Sequence, residues 1–190
     1  MPVKYDEYYS AQDHALGPAF EDVIAFFQNL EVGQTVLDVG VGQGRDAIPL
    51  AQMGHRVIGI DLSSIGIEQL KNAAASQHLN IDAEVADLST YSPTERLDII
   101  LFDRTLHMIT HTIERENAFS RYFDFIQPQG QIVLIDERKN MAGFHACMDQ
   151  HIDKWSIAYV KPTFFNCNQR GVNYGHRFSD HIIRGAICDH

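Results

Sequence analysis

The chain has 190 residues, enough for one domain with a substantial core, and its 45% hydrophobic and 21% charged residues are ordinary for a globular protein. Its 15 lysines and arginines are outnumbered by 25 aspartates and glutamates, so the formal net charge of −10 disfavours a nucleic-acid partner. The three cysteines are far apart and the ten histidines are scattered, so neither a metal site nor a disulfide framework is expected.

The N-terminal segment lacks the apolar core of a signal peptide, and no apolar run approaches the length of a membrane span. We therefore expect a cytoplasmic location and no membrane partner. The first predicted element is an amphipathic helix over 19–30, because apolar residues recur there at helical spacing: Phe20, Val23, Ile24, Phe27 and Leu30.

Residues 36–44, Val-Leu-Asp-Val-Gly-Val-Gly-Gln-Gly, combine an apolar run with three alternating glycines. The run predicts a buried strand over 35–39, with Asp38 at its carboxyl end. Gly40, Gly42 and Gly44 allow a tight turn and a close approach of the backbone to a ligand. Because ligands of open α/β sheets bind beyond the carboxyl ends of the strands, this loop predicts a small-molecule site.

The spacing of the glycines narrows the classes of ligand that this loop is expected to bind. A dinucleotide loop has the pattern G-x-G-x-x-G, whereas this loop has G-x-G-x-G after an acid. A carboxylate beside the loop repels a pyrophosphate but attracts a ligand that carries an ammonium and a sulfonium. The segment resembles the first motif of the class I S-adenosylmethionine-dependent methyltransferases, which implies that Asp38 and the three glycines hold the methionine portion of that cofactor. A glycine-rich turn of another α/β protein is the alternative.

Arg45 directly follows the loop, at the predicted start of a helix over 43–53 that Pro49 is expected to bend. Two interpretations of Arg45 have equal weight. Its side chain either pairs with the carboxylate of the cofactor or is a solvated surface group.

The second predicted strand, over 57–60, ends in Asp61, 17 residues after Gly44. An acid at about this distance commonly binds the ribose hydroxyls of an adenosine ligand. We assign Asp61 and its neighbour Leu62 to the cofactor site. Capping of the next helix, predicted over 64–77, is the alternative for Asp61, although Ser64 is the expected N-cap.

The third predicted strand, over 82–86, is followed by Asp87 and Leu88. In the family that the glycine loop resembles, the acid and the residue after it meet the amino group and the ring of the adenine. The resemblance implies that role for Asp87 and Leu88, and a solvated loop acid is the equal alternative. The connection to the next strand is short and is expected to hold no full helix.

The fourth predicted strand, over 97–102, ends in Asp103 and is followed by His107 within Arg-Thr-Leu-His-Met-Ile. The family has a similar strand and often a Leu-His pair after it, which implies that Asp103 and His107 lie near the transferring methyl group. His107 is the candidate general base because the pKa of a histidine is near neutrality. A packed, non-catalytic histidine is the alternative. The Asn/Asp-Pro-Pro-Tyr/Phe motif of methylation on DNA adenine is absent.

The remaining elements follow the same alternation of helices and strands. We expect a helix over 112–126 with Phe119, Tyr122, Phe123 and Ile126 on its buried face, and then a turn containing Pro128 and Gly130. The later expected elements are a fifth strand over 131–136, a helix over 140–152, strands over 156–165 and 181–188, and a hairpin loop over 166–175.

The expected fold is therefore an α/β, doubly wound, Rossmann-like methyltransferase sheet, mostly parallel with a terminal antiparallel strand pair. We expect one methyltransferase domain over 1–190, made of an N-terminal helical cover (1–34), a cofactor-binding core (35–136) and a C-terminal helix with antiparallel strands (137–190). The resemblance to the family spans 35–136.

The resemblance implies S-adenosylmethionine-dependent methyl transfer to an unidentified small-molecule acceptor. The compact form is similar to that of small bacterial methyltransferases of the tellurite-resistance and thiopurine type. The N-terminal Tyr5, Tyr8 and Tyr9 resemble an aromatic segment that covers the cofactor in several of them, although a plain surface role is as acceptable. An NAD-binding Rossmann oxidoreductase and a non-catalytic S-adenosylmethionine-binding module are the alternatives.

Overall fold

The structure is a computed structural model that describes residues 5–12, 15–150, 155–169 and 172–185, with side chains described up to residue 150. The chain forms two compact units, residues 1–93 and 94–190. The elements of the first unit are, in chain order, α1 (Tyr5–Ala11), α2 (Glu21–Gln28), β1 (Thr35–Val39), α3 (Ala47–Gln52), β2 (Arg56–Asp61), α4 (Ser64–Ser76) and β3 (Ile81–Val85).

The three strands of the first unit form a parallel sheet in which β2 pairs with both β1 and β3. Val36, Leu37 and Val39 of β1 expose none of their surface, as expected for a strand in the middle of a covered parallel sheet. The three predicted strands are confirmed with shifts of one residue at their ends. The carboxyl ends of β1, β2 and β3 lie at one edge, where Asp38 and Asp61 occur.

The helix after the glycine loop begins later than expected, at Ala47 rather than at residue 43. Gly44 has a φ of +85°, a left-handed conformation that cannot belong to a right-handed helix. Pro49 consequently lies in the first turn of α3, where the missing N–H costs no helical hydrogen bond, so it does not bend a longer helix. The N-cap of α4 is Ser63 rather than Ser64, since the Ser63 hydroxyl accepts a hydrogen bond from the Gly66 amide at 3.0 Å.

The second unit contains the remaining elements: β4 (Leu97–Asp103), α5 (Thr112–Arg121), β5 (Ile126–Glu137), α6 (Met141–Asp149), β6 (Trp155–Gln169) and β7 (Val172–Gly185). β4 and β5 are parallel, whereas β5 pairs antiparallel with β7, and β7 pairs antiparallel with β6. As expected, residues 86–96, between β3 and β4, form no helix.

The helix expected over 112–126 ends at Arg121 and continues as a 3-10 turn over Tyr122–Phe125, so that β5 begins at Ile126. Ile126 already pairs with Leu97, and the next pair is Gln131 with Ile99. The expected turn over Pro128–Gly130 therefore lies inside β5, where it interrupts the pairing with β4 between Ile126 and Gln131. Only glycine fits at its end, because a Cβ on Gly130 would lie 2.9 Å from the Asp98 carbonyl oxygen.

The hairpin loop expected over 166–175 is contradicted by the strand pairing, which continues from Asn166 and Gly175 to Gln169 and Val172. Antiparallel strands can be joined by two residues, so the Asn and Gly of this segment are not needed for a loop. Cys188, at the end of the expected last strand, lies outside the described residues, as does the end of the helix expected over 140–152.

Aromatic packing holds α5 and α6 together. The ring of Phe119 lies 5.8 Å from that of Phe102 and 4.9 Å from that of Phe144, between ring centres. The predicted buried face of α5 and the following turn is confirmed, since Phe119, Tyr122, Phe123 and Ile126 are all buried. Within the described part of the chain, no helix has the length and apolar character needed to cross a membrane.

Candidate functional site

The glycine loop turns sharply at the end of β1. Gly40, Gly42 and Gly44 have φ values of +84°, +51° and +85°, a region that side-chain-bearing residues rarely adopt. The amides of Gly40 and Val41 both donate to the Ile60 carbonyl oxygen, at 2.8 and 3.0 Å. The predicted tight turn is confirmed, and these bonds fasten the loop to the end of the neighbouring strand.

Asp61 fixes this loop through its carboxylate. Its Oδ2 accepts a hydrogen bond from the Gly42 amide at 2.9 Å, and its Oδ1 accepts one from the Ser63 amide at 2.7 Å. Burial raises the pKa of Asp61 above its ordinary value, and the amide bonds oppose that shift. The Gly42, Ser63 and Leu62 amides do not use all four lone pairs of the carboxylate, so Asp61 can also accept a ligand hydroxyl. Sequence reasoning missed the loop-fixing role.

Asp38 is the most deeply buried acid among the described residues of the first unit. It is 2% exposed, and its Oδ2 has no hydrogen-bond partner. Burial raises the pKa of Asp38 well above the ordinary value, the charges of Asp46 and Asp61 add to the rise, and Arg45 opposes it. A buried carboxylate oxygen without a partner is costly, so this position suits the cationic group of a ligand.

Arg45 is held by Asp46 and by an aromatic ring. Its Nη2 lies 2.5 Å from Asp46 Oδ2, and its guanidinium carbon lies 4.9 Å from the centre of the Phe20 ring. The expectation that Arg45 is solvated is wrong, since only 8% of its side chain is exposed. Sequence reasoning missed Asp46, which lies too close in sequence to the loop to stand out as a separate motif.

The residues assigned to the adenine, Asp87 and Leu88, lie after β3, and Leu62 of the predicted cofactor site lies after β2. Asp87 is exposed, and its Oδ1 accepts hydrogen bonds from the amide and the hydroxyl of Ser89 at 2.8 and 2.7 Å. Solvated loop acids commonly form such a local turn. Both bonds use Oδ1, so Oδ2 of Asp87 can still accept a hydrogen bond from a ligand. Leu62 is 69% exposed and Leu88 is half-buried, so both offer apolar surface at this edge.

Helix α1 lies on the glycine loop. A Cβ on Gly42 would lie 2.5 Å from the Tyr9 hydroxyl oxygen, and Tyr9 is only 3% exposed. Asp6 Oδ1 accepts a hydrogen bond from the Ser63 hydroxyl at 2.5 Å, and Gln43 Nε2 donates to the Gln12 carbonyl at 3.0 Å. The tyrosine-rich segment therefore packs on the predicted site, and its role as a cofactor cover stays a prediction.

The features of the first unit fit an S-adenosylmethionine ligand. Asp38 has a buried carboxylate oxygen without a hydrogen-bond partner, which suits a positive group, and the carboxylate of Asp61 can accept a further hydrogen bond from a hydroxyl group. The apolar side chain of Leu62 offers a surface for a purine. No group of three or more His, Cys, Asp or Glu side chains is placed to hold a metal ion within the described residues.

In the second unit, Asp103 and His107 follow the carboxyl end of β4. Asp103 is buried, and its Oδ1 lies 3.1 Å from Arg104 Nε. His107 belongs to a short 3-10 turn, and its backbone amide donates to Asp136 Oδ2 at 2.9 Å. The catalytic roles assigned to Asp103 and His107 stay predictions.

Asp136, at the end of β5, organises the surroundings of His107. It is completely buried and its Oδ1 also accepts from the Glu137 amide at 2.7 Å and from Asn140 Nδ2 at 2.6 Å. Burial raises the pKa of Asp136 to about 6, although its hydrogen bonds oppose the shift. Sequence reasoning assigned no function to Asp136 or Asn140, yet Asp136 ends an apolar strand as Asp38 and Asp61 do.

A cavity of about 450 Å³ lies within the second unit. Ligand pockets commonly have volumes of about 300–1,000 Å³. His107 and Asn140, both hydrogen-bonded to Asp136, belong to its wall. The full lining consists of His107, Thr110, Thr112, Arg115, Glu116, Lys139, Asn140 and Gly143.

The fold and the acid-lined glycine loop define the class of S-adenosylmethionine-dependent methyltransferases. The sequence profile of the methyltransferase domain family matches residues 36–130, which is half of the chain. The chain belongs to this family. The predicted α/β fold and the predicted class are thereby confirmed.

Curated relatives include a ubiquinone biosynthesis O-methyltransferase of Bradyrhizobium diazoefficiens, 31% identical over 112 residues that make up 59% of this chain and 43% of that protein. Another is the S-adenosyl-L-methionine-dependent Diels-Alderase iccD of Talaromyces variabilis, 28% identical over 109 residues, 56% of this chain and 37% of that protein. The chain thus spans less than half the length of these relatives.

A solved structure with a similar fold is magnesium protoporphyrin IX methyltransferase (ChlM) from Synechocystis with bound S-adenosylmethionine. Its TM-score is 0.68 at 22% identity, over 85% of this chain and 76% of that one.

Proposed function

We propose that this chain binds S-adenosylmethionine at the carboxyl ends of β1, β2 and β3 and transfers its methyl group to a small-molecule acceptor. The observation that carries this proposal is Asp38, whose buried Oδ2 has no partner beside a glycine loop. An ammonium group placed there compensates the buried negative charge. The pyrophosphate of NAD is negatively charged and cannot compensate that charge, so NAD is the weaker candidate.

The proposed roles follow the positions of the side chains. Asp38 and the loop glycines hold the methionine portion, Asp61 holds the ribose, and Asp87, Leu88 and Leu62 surround the adenine. Arg45 remains in this set as the cation beside Asp46, where it limits the negative charge around Asp38.

S-adenosylmethionine supplies an already activated methyl group when it is bound. The chain must then mainly hold an acceptor in line, and proximity of this kind is worth roughly 7–11 kcal/mol. His107 is the proposed proton acceptor for an acceptor hydroxyl or thiol, and Asp136 positions it through the His107 backbone amide. Asp103, paired with Arg104, is proposed to shape the loop that carries His107.

Calorimetric titration of S-adenosylmethionine tests the binding step. We expect wild-type protein to bind it and the Asp38→Asn variant to bind at least about tenfold more weakly, the equivalent of about 1.4 kcal/mol. Asp82→Asn is the matched control, because Asp82 is an exposed strand acid in a surface ion pair with Arg56. Binding of NAD in place of S-adenosylmethionine would overturn the proposal.

Methyl transfer is tested with methyl-labelled S-adenosylmethionine and fractionated small molecules as acceptors. We expect label transfer by the wild type and a loss of about 10²-fold or more in kcat for His107→Ala. His111→Ala is the control, since His111 is exposed and is not part of the cavity wall. Unchanged kcat in His107→Ala would remove His107 from the mechanism without affecting the cofactor proposal.

A second candidate function is a cofactor-dependent reaction that leaves the methyl group in place. It is supported by the relative named as an S-adenosyl-L-methionine-dependent Diels-Alderase. Saturable S-adenosylmethionine binding, with no label transfer to any acceptor fraction, would favour this candidate over methyl transfer.

A further inference from the structure

The cavity of the second unit contains a buried arginine that no carboxylate among the described side chains pairs with. Arg115 is 7% exposed and belongs to the cavity wall. Its Nη1 donates to the Ile109 carbonyl at 2.9 Å, and its Nη2 donates to the Thr112 hydroxyl at 3.3 Å. Its Nε has no hydrogen-bond partner. No ion pair joins Arg115 to any carboxylate of the described residues.

Such an arrangement is unfavourable unless an anion completes it. A guanidinium stays protonated in proteins, and a buried charge without an opposite charge costs several kcal/mol. Two neutral acceptors fix the orientation of the Arg115 guanidinium but do not neutralise it. Its remaining N–H groups suit the two oxygens of a carboxylate, which a guanidinium binds in a bidentate manner.

The rest of the wall favours an organic anion. Lys139 adds a second cation, although it also pairs with Glu137, and Glu116 is the one acid among the described residues of the wall. A volume of about 450 Å³ is far larger than an inorganic anion requires. Asn140 and His107 add groups that Asp136 holds in place.

We infer that this cavity binds a small organic carboxylate through Arg115 and that this carboxylate is the methyl acceptor. The identification as acceptor rests on the proposed function, whereas the binding of a carboxylate does not. Arg115 is thus a binding residue for the acceptor, and His107 belongs to the same wall.

The test is a titration of benzoate, salicylate and phenylacetate, each beside its own carboxamide, into the wild-type protein. We expect at least one carboxylate to bind at least tenfold more tightly than its carboxamide. The same titration followed by NMR should shift the Arg115 Nε–H resonance, a readout that needs no variant. If no carboxylate binds better than its carboxamide, or inorganic phosphate binds more tightly than every carboxylate, the inference is overturned.

Variants then locate the site. Arg115→Gln should lose the preference for the carboxylate, and Lys139→Gln should weaken it severalfold. Arg121→Gln, an exposed arginine at the end of the same helix, should retain it. Retention of the full preference by a folded Arg115→Gln protein would contradict the inference, and the Arg115 resonance decides the matter if that variant does not fold.

The two proposals fail separately. Carboxylate binding without any S-adenosylmethionine binding would retain the anion site and remove the methyl-transfer function. Tight S-adenosylmethionine binding without a carboxylate preference would leave the proposed function in place and remove this inference.

Discussion

Asp38 lies at a position where burial and two other carboxylates oppose the ionisation of its side chain. The pKa of Asp38 is raised first by burial and then by Asp46 and Asp61. A bound ammonium group reverses the balance, because it favours the charged carboxylate. Cofactor binding is therefore linked to the release of a proton.

This linkage gives a pH dependence with a defined sign. In the free protein the raised pKa keeps Asp38 protonated over a range in which an ordinary carboxyl is already ionised. We expect S-adenosylmethionine affinity to be highest above that raised pKa and to fall as the pH drops through it. Calorimetry in two buffers of different ionisation enthalpy should show proton release by the wild type and not by Asp38→Asn. A pH-independent affinity would contradict the assigned role of Asp38.

His55 gives a second residue-scale prediction, on stability. It is 1% exposed, its ring centre lies 5.7 Å from that of Phe27, and burial lowers its pKa below the ordinary 6.5. The unfolded chain therefore binds a proton that the folded protein does not, at pH values below 6.5 and above the lowered pKa. We expect the free energy of unfolding to decrease there on acidification, by at most about 1.4 kcal/mol per pH unit for one proton.

Urea unfolding at several pH values measures this effect. His55→Leu should remove the His55 contribution to the slope, while His78→Gln, at an exposed position, should preserve it. Equal slopes in wild type and His55→Leu would show that folding does not change the pKa of His55.

At the scale of elements, the glycine loop lies in contact with side chains of both α1 and α4. A Cβ on Gly44 would lie 2.4 Å from Leu70 Cδ1 of α4, and a Cβ on Gly42 would meet Tyr9 of α1. The loop therefore requires glycine both for its backbone conformation and for the space that its neighbours occupy. The first requirement followed from the sequence pattern, but the second depends on helices that are remote in sequence.

A pair of glycine variants separates these two requirements. Gly33 and Gly44 have nearly equal φ values, +86° and +85°, but a Cβ on Gly33 would meet nothing within 4 Å. We expect Gly33→Ala to lower the free energy of unfolding by about 1–2 kcal/mol through the backbone alone. Gly44→Ala should cost a further 1–3 kcal/mol or so from overpacking and should also weaken S-adenosylmethionine binding. Equal losses in both variants would show that Leu70 simply moves away.

Helix and strand bounds were predictable where a local pattern determines them. The five core strands were predicted from short apolar runs that end in an acid. The N-cap of α4 was predicted one position too late, at Ser64 instead of Ser63. The late start of α3 was missed because the positive φ of Gly44 outweighs the helical pattern that follows it. Strands over 156–165 and 181–188 were predicted, but β6 and β7 extend further towards each other, because the Asn- and Gly-rich segment between the predicted strands pairs as strand instead of forming a loop.

At the scale of the whole molecule, the family match over 36–130 includes residues of both compact units. Acids recur at the ends of the apolar strands in this segment, so the positions of Asp38 and Asp61 at one edge of the sheet could be predicted from the sequence. Arg115 was not predictable, because an arginine in a polar helix is usually solvated, and only the structure reveals its burial.

The most direct test of the central claim is a crystal structure of this protein with S-adenosylhomocysteine, whose ammonium group is that of the donor. We expect that ammonium within about 3 Å of a carboxylate oxygen of Asp38, with the ribose beside Asp61. A ligand bound away from the glycine loop, or with its ammonium turned from Asp38, would contradict the account.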